Sequence, residues 1–157
     1  MDGLSIVEES IEASGALSVL HAAVDELNRR YGTADDLSHF NVDELRSPRG
    51  TFLVARVGGD LAGGVGVRSI GSTPSSVGEV KRLWVRPDLR RSGTATTLMN
   101  AIESRSREMG FVQLYLETGY AQPEALALYR GSGWGEVENF PPGAYSHPNA
   151  YRFAKYL

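Results

Sequence analysis

The 157-residue chain carries 16 Lys and Arg against 19 Asp and Glu, a formal net charge of −3, and 41% of its residues are hydrophobic. These proportions fit one globular domain over residues 1–157 with an ordinary core. The missing basic excess excludes a general nucleic-acid binder and tolerates a small cationic substrate, while the lack of any cysteine excludes disulfides, thiolate metal sites and a cysteine nucleophile.

His21, His39 and His147 lie far apart and form no metal-ligand spacing, so each is expected at the surface or at a helix end, with no bound metal. No stretch approaches the roughly 18 apolar residues of a membrane span. The opening "MDGLSIVEES" is acidic and lacks the basic flank of a signal peptide. A cytoplasmic protein without membrane contact is expected.

Leu4 to Glu8 reads as a short first strand. Leu17, Leu20, Val24, Leu27 and Tyr31 then recur at helical steps, with Ser14 as the expected N-cap and Gly32 as the stop. A helical piece over Val42 to Arg46 ends before Pro48. "TFLVARVGGDLAGGVGVRSI" reads as two strands joined at Gly58-Gly59-Asp60, where a tight hairpin needs positive φ. The glycines of "AGGVGV" have the wrong spacing for a dinucleotide loop, and no helix follows them. "SIGSTPSSVG" is a polar loop, expected to be mobile.

"EVKRLWV" is the next strand. Ala95, Leu98, Met99 and Ile102 give an amphipathic helix ended by Gly110, and "FVQLYLET" alternates as a strand. Pro123 suits the first turn of another helix, with Gln122 before it and Ala125, Leu128 and Tyr129 along it, stopping at Gly131 or Gly133. "AYRFAKYL" closes the chain as a strand, and Trp134 to Val137 can add one more. The order is β-α-α-β-β-β-α-β-α-β, an α+β arrangement of the α/β class with a mixed sheet and helices on its faces.

The stretch "LWVRPDLRRSGTATTLMNAIE" places two arginines and a glycine where a strand ends and a helix starts. A helix N-terminus is already electropositive and offers amides without intrahelical partners. Arg90 and Arg91 worsen that charge unless an anion sits there. Gly93 lets a phosphate approach the backbone, and Ala95 keeps the first turn small. No Gly-Lys-Ser/Thr follows to hold magnesium, so the expected ligand is a diphosphate that needs no metal, as in coenzyme A.

"RRSGTA" resembles the (Gln/Arg)-x-x-Gly-x-(Gly/Ala) signature of the GNAT superfamily, the acetyl-CoA-dependent N-acetyltransferases related to the yeast histone acetyltransferase. "GEVKRLWVRPDLRRSGTATTLMNAIE" resembles that family's strand 4, pyrophosphate loop and following helix. "QPEALALYRGSGW" resembles its later Asn-x-x-Ala-x-x-Leu-Tyr segment, and the two together span residues 78 to 134. Three positions depart from the pattern: Gln122 stands where asparagine is usual, Trp134 replaces Phe or Tyr, and Arg91 stands where many members have glycine.

The resemblance implies a mostly antiparallel sheet splayed between strands 4 and 5, with acetyl-CoA bound at the splay. It implies diphosphate contacts from Arg90, Arg91, Ser92, Gly93, Thr94 and Ala95. The backbone of Leu83, Trp84 and Val85 would hold the pantetheine and the thioester oxygen if strand 4 is bulged, and Gln122 and Ala125 would border the pantetheine arm. It also implies Glu79 as general base, often through water, and Tyr129 as proton donor to the coenzyme A sulfur. The activity implied is acetyl transfer to a primary amine of a small molecule, by direct attack through a tetrahedral intermediate. A non-catalytic acyl-CoA sensor and a protein or peptide N-acetyltransferase are the alternatives.

Taken as residues alone, the arginine pair also fits solvated charge, Tyr129 fits core packing, and Glu79 fits a solvated strand-edge carboxylate. Arg68, Arg82 and Glu117 fall on strands near the expected cleft, where one arginine can hold a substrate carboxylate or join a sheet ion pair. Strand alternation puts Glu79 and Lys81 on one face and Arg82 on the other, unless a bulge resets the register. Tyr120, Phe140 and Tyr145 sit in loops that can wall an acceptor pocket. Acceptor choice is assigned to loops 31–50, 69–78 and 139–149, and the closing strand is compatible with a monomer or a homodimer.

Overall fold

The computed structural model describes residues 3–37, 41–71, 75–142 and 149–157. Seven strands form one sheet: β1 (Leu4–Glu8), β2 (Gly50–Val57), β3 (Asp60–Ser69), β4 (Val77–Val85), β5 (Gln113–Thr118), β6 (Gly135–Val137) and β7 (Tyr151–Tyr156). Their spatial order is β1-β2-β3-β4-β5-β7-β6, and only the β4–β5 pair is parallel. Three helices complete it: α1 (Ser14–Tyr31), α2 (Thr94–Glu108) and α3 (Pro123–Arg130).

Both faces of the sheet are covered, and the side chains show it. Phe52 and Val54 of β2 pack with Val19 and Leu20 of α1, whereas Leu53 and Ala55 pack in the cluster that holds Leu98 and Ile102 of α2. Tyr129 of α3 belongs to the second cluster. Two buried faces explain why β2 and β3 read as nearly continuous apolar runs rather than alternating ones. The hairpin between them turns at Gly58 (φ 58°) and Gly59 (φ 88°), with Asp60 already in β3. The "AGGVGV" run lies inside β3, where a Cβ on Gly63 would meet the Trp84 carbonyl oxygen at 2.4 Å, so β4 can approach only a glycine there.

Some local expectations change. Ala13, not Ser14, is the N-cap of α1, and it makes no side-chain capping bond. The helical piece after position 41 is a single 3₁₀ turn, Val42–Leu45, with the Asn41 side chain accepting from the Asp43 N–H at 3.1 Å. Gly32 does end α1, at φ 66°. Met109 caps α2, with Gly110 next at φ 95°. Positions 72–74 of the polar loop lie outside the described residues, as do His39, Tyr145 and His147.

The feature that creates a site is the short join between β4 and β5. They pair only through Val77–Gln113, Gly78–Leu114 and Glu79–Tyr115. Beyond Glu79 the strands part, so the rest of β4 and the Leu116–Thr118 end of β5 border a gap in the sheet.

Candidate active site

β4 carries one extra residue opposite β3. Gly66 pairs with Lys81 and Gly64 with Trp84, so two steps on β3 match three on β4. The bulge centres on Arg82, whose φ is 60°. Its effect is a change of parity. Before it, Val80 faces the α2 side; after it, Leu83 and Val85 do, and Trp84 packs on the α1 side. Arg82 therefore joins Glu79 and Lys81 in bordering the gap, instead of taking the opposite face.

The bulge also orients backbone groups. The Arg86 N–H bonds back to Ala62 O at 2.8 Å, and the Val85 carbonyl accepts from Arg90 Nε at 2.9 Å. Strand alternation then turns the N–H groups of Val85 and Leu83 away from β3, toward the gap.

A cleft of about 640 Å³ occupies this gap. Its floor is β4 from Glu79 to Trp84, one wall is α1 at Glu26, Leu27 and Tyr31, and the other is formed by β5 and α3, including Gln122, Ala125 and Tyr129. Glu117 and Tyr120 also line it, whereas Phe140 packs edge-on against Tyr115 and Arg68 lies behind Glu79. The Val85 side chain is core. Gln122 is held by Tyr31, whose hydroxyl accepts from its Nε2 at 3.4 Å and from the Ala121 N–H at 3.2 Å.

Glu79 is 3% exposed and faces Arg68 across the β3–β4 ladder. Arg68 Nε (3.0 Å) and one terminal nitrogen (2.6 Å) both donate to Glu79 Oε1, and Glu44 approaches the same guanidinium at 3.4 Å. Burial outweighs these cations and raises the Glu79 carboxyl above its ordinary value. Burial likewise lowers the Lys81 ammonium. Tyr129 is 5% exposed, stacked edge-on against Trp134 and tilted against Phe153; burial pushes its phenol well up, so it stays protonated at neutral pH.

The start of α2 adjoins the cleft without lining it. Gly93 is its N-cap at φ 90°, with no side-chain capping bond, and the space beside its α-carbon is open. Arg91 also has a left-handed backbone, φ 63°, a conformation that favours glycine. The Ser92 and Thr94 hydroxyls lie 3.0 Å apart, with Thr94 buried, and Ala95 packs against the core. Arg90 is not turned outward: its guanidinium is bonded to Glu26 as well as to the Val85 carbonyl. Glu26 in turn meets Arg30 at 3.3 Å, and Arg30 reaches Glu124 and the Ala121 carbonyl. This chain of charges ties α1 to the starts of α2 and α3. Nothing in residue spacing announced it, since its members come from three elements far apart in sequence.

A family model described as the acetyltransferase (GNAT) family matches residues 18–134. The chain belongs to this family. The GNAT domain is 35% identical over 122 residues to an IAA acetyltransferase of Azospirillum brasilense, covering 76% of this chain and 78% of the relative. Among solved structures it resembles the PaiA N-acetyltransferase of Thermoplasma acidophilum in complex with coenzyme A (16% identity, 98% and 99% coverage, TM-score 0.75). It also resembles a GNAT acetyltransferase of Elizabethkingia anophelis with acetyl-CoA bound (15% identity, full coverage of both chains, TM-score 0.68).

The protein is thus an N-acetyltransferase of the acetyl-CoA-dependent GNAT class. Its residues fit that donor: an uncapped helix start with open ground at Gly93 suits a diphosphate, and a parted sheet with outward strand amides suits a pantetheine arm. Among the described residues, no helix is long and apolar enough to cross a membrane.

Proposed function

We propose that this chain, as one domain over its 157 residues, transfers an acetyl group from acetyl-CoA to the primary amine of a small molecule. The observation that carries the reading is the convergence of Glu79, Tyr129 and the bulged middle of β4 on one cleft whose end meets the start of α2. The name of the Azospirillum relative supports acetyl transfer as the chemistry.

Acetyl-CoA supplies the activated acetyl thioester. The first-turn amides of α2 from Gly93 to Ala95, with Ser92 and the charges of Arg90 and Arg91, hold its diphosphate. The N–H groups of Leu83 and Val85 hydrogen-bond the pantetheine and polarise the thioester oxygen, and fixed donors of this kind need no reorganisation as charge develops. Trp84, Gln122 and Ala125 border the arm. Glu79, directly or through water, takes the proton from the attacking nitrogen. Both Arg68 bonds fall on its Oε1, which leaves Oε2 for this task. Tyr129, a phenol protonated at neutral pH and kept so further by burial, gives a proton to the departing sulfur. The nitrogen attacks the acetyl carbon directly: the C–N bond forms to give a tetrahedral intermediate, whose collapse breaks the C–S bond, so no acyl-enzyme is needed.

The test is release of coenzyme A thiol from acetyl-CoA across a panel of amines, amino acids and polyamines. Amine-dependent release is expected, with mass spectrometry locating the acetyl group on nitrogen. Tight acetyl-CoA binding with no release for any amine would replace this reading with that of an acyl-CoA sensor.

A further inference from the structure

We infer that the acceptor is an amino acid, with its carboxylate against Lys81 and Arg82 and its amine facing Glu79. The inference rests on the acetyl-transfer reading and narrows it to one substrate class.

Three observations carry it. First, the β4 bulge sets two consecutive cations, Lys81 and Arg82, on the floor of the cleft, which regular alternation forbids. Second, the charges nearest to Lys81 do not pair with it. Glu79 acts on Lys81 through space but forms no ion pair with it, its two bonds coming from Arg68, and Arg68 is shared with Glu44. Among the described residues, the Lys81 ammonium makes no hydrogen bond and no ion pair, although the side chain is partly buried and burial works against its charge. A partly buried ammonium without a hydrogen-bonded partner is costly, and an anionic ligand group removes the cost. Third, Glu79 and Lys81 are two residues apart on one strand face, about 6–7 Å along the chain. A ligand that offers a nitrogen to one and an oxygen to the other, with ordinary hydrogen-bond lengths at each end, has only a few bonds between amine and acid. An α- or β-amino acid has that spacing. Glu117 and Asp35, which also line the cleft, suit the ammonium form in which such a molecule arrives.

The experiment compares each L-amino acid with its own amide as acceptor at saturating acetyl-CoA. The acids are expected to be preferred in kcat/KM by roughly ten- to a hundred-fold, the range of a charge-assisted hydrogen bond, and mainly through KM. K81Q should erase the preference by raising KM for the acids toward that of their amides, and K81R should restore most of it. Equal rates for acids and amides in the wild-type protein overturn the inference without needing any variant, and leave acetyl transfer to other amines intact. A fall in kcat that is equal for acids and amides in K81Q also overturns it. A binding measurement separates the two readings. With coenzyme A present, calorimetry compares N-acetylated amino acids with N-acetylated amino acid amides. If no amine is acetylated but the acids bind at least tenfold tighter, the anion site stands and the transfer reading falls. If neither turnover nor preference is seen, both fall.

Discussion

Arg68 and Glu79 stand directly opposite one another on β3 and β4, and two guanidinium N–H groups close on a single carboxylate oxygen. Both side chains are almost fully buried. Removing one charge of such a pair strands the other, at a cost of about 3–5 kcal/mol, whereas replacing both with apolar groups is often close to neutral. R68M should therefore lose about that much in urea unfolding, and R68M/E79M markedly less. Equal losses would mean that the pair contributes nothing beyond packing.

Glu79 gives a pH signature. Burial raises its pKa, so it titrates above the ordinary glutamate value of about 4.3. As a base it must be ionised, and kcat/KM should rise with pH along a limb lying above that value. E79Q should abolish the limb and lower kcat by roughly 10²- to 10⁴-fold. Stability runs the other way: the contribution from a raised pKa is full below the ordinary value and is lost as pH rises through the folded one. E79Q should flatten stability across that same window, which pH-resolved denaturation curves can read.

Tyr129 has the same sign at the alkaline end. Its phenol is pushed up by burial, so its contribution to stability is whole below about pH 10 and lost above it. Y129F should remove that alkaline loss and lower kcat by roughly 10²-fold, while acetyl-CoA affinity measured by calorimetry changes little. A Y129F protein with undiminished kcat would return the residue to a packing role beside Trp134 and Phe153.

Arg90 is held by Glu26, and on the proposed reading the same guanidinium serves the diphosphate of acetyl-CoA. Glu26 is therefore a competitor. Both side chains are partly exposed, so the pair is worth no more than a surface ion pair, about 0.2–1 kcal/mol. E26Q should tighten acetyl-CoA binding by roughly two- to five-fold. R90Q should weaken it, and the double variant should resemble R90Q.

Arg91 and Gly93 share positive φ but not side chains. A left-handed conformation costs a non-glycine residue about 1–2 kcal/mol, and glycine itself forfeits about 0.5–1 through the freedom of the unfolded chain. R91G should leave thermal stability equal or slightly higher while weakening acetyl-CoA binding and its salt dependence. G93A should lose about 1–2 kcal/mol from backbone conformation, because the space beside it is open and no collision occurs.

Much of this architecture is legible in the residues themselves. Alternation marks β5, the glycine pair marks the β2–β3 hairpin, and the arginines before Gly93 mark the start of α2. Glu79, Gln122, Ala125 and Tyr129 line one cleft. The rest is hidden for a physical reason: it depends on register. The bulge falls on an arginine rather than a glycine, so no residue type announces it, and yet it decides that Arg82 faces the cleft. The Arg68–Glu79 pair needs the exact offset of two strands. The chain of Arg90, Glu26, Arg30 and Glu124 needs three elements in place at once. Ser14 misleads because its hydroxyl suits a cap, while it is already the first residue of the helix and Ala13 is the N-cap.

The short join of β4 to β5 has a mechanical consequence. The sheet is two leaves, β1 to β4 and β5 to β7, stitched by three rungs. Anything lodged between their free ends supplies crosspieces that the backbone itself does not make. Loading at a hundred times Kd should stiffen the whole assembly by about 2.7 kcal/mol. Amide deuterium uptake should slow most at 82–85 and 116–118, the unstitched lips of the seam.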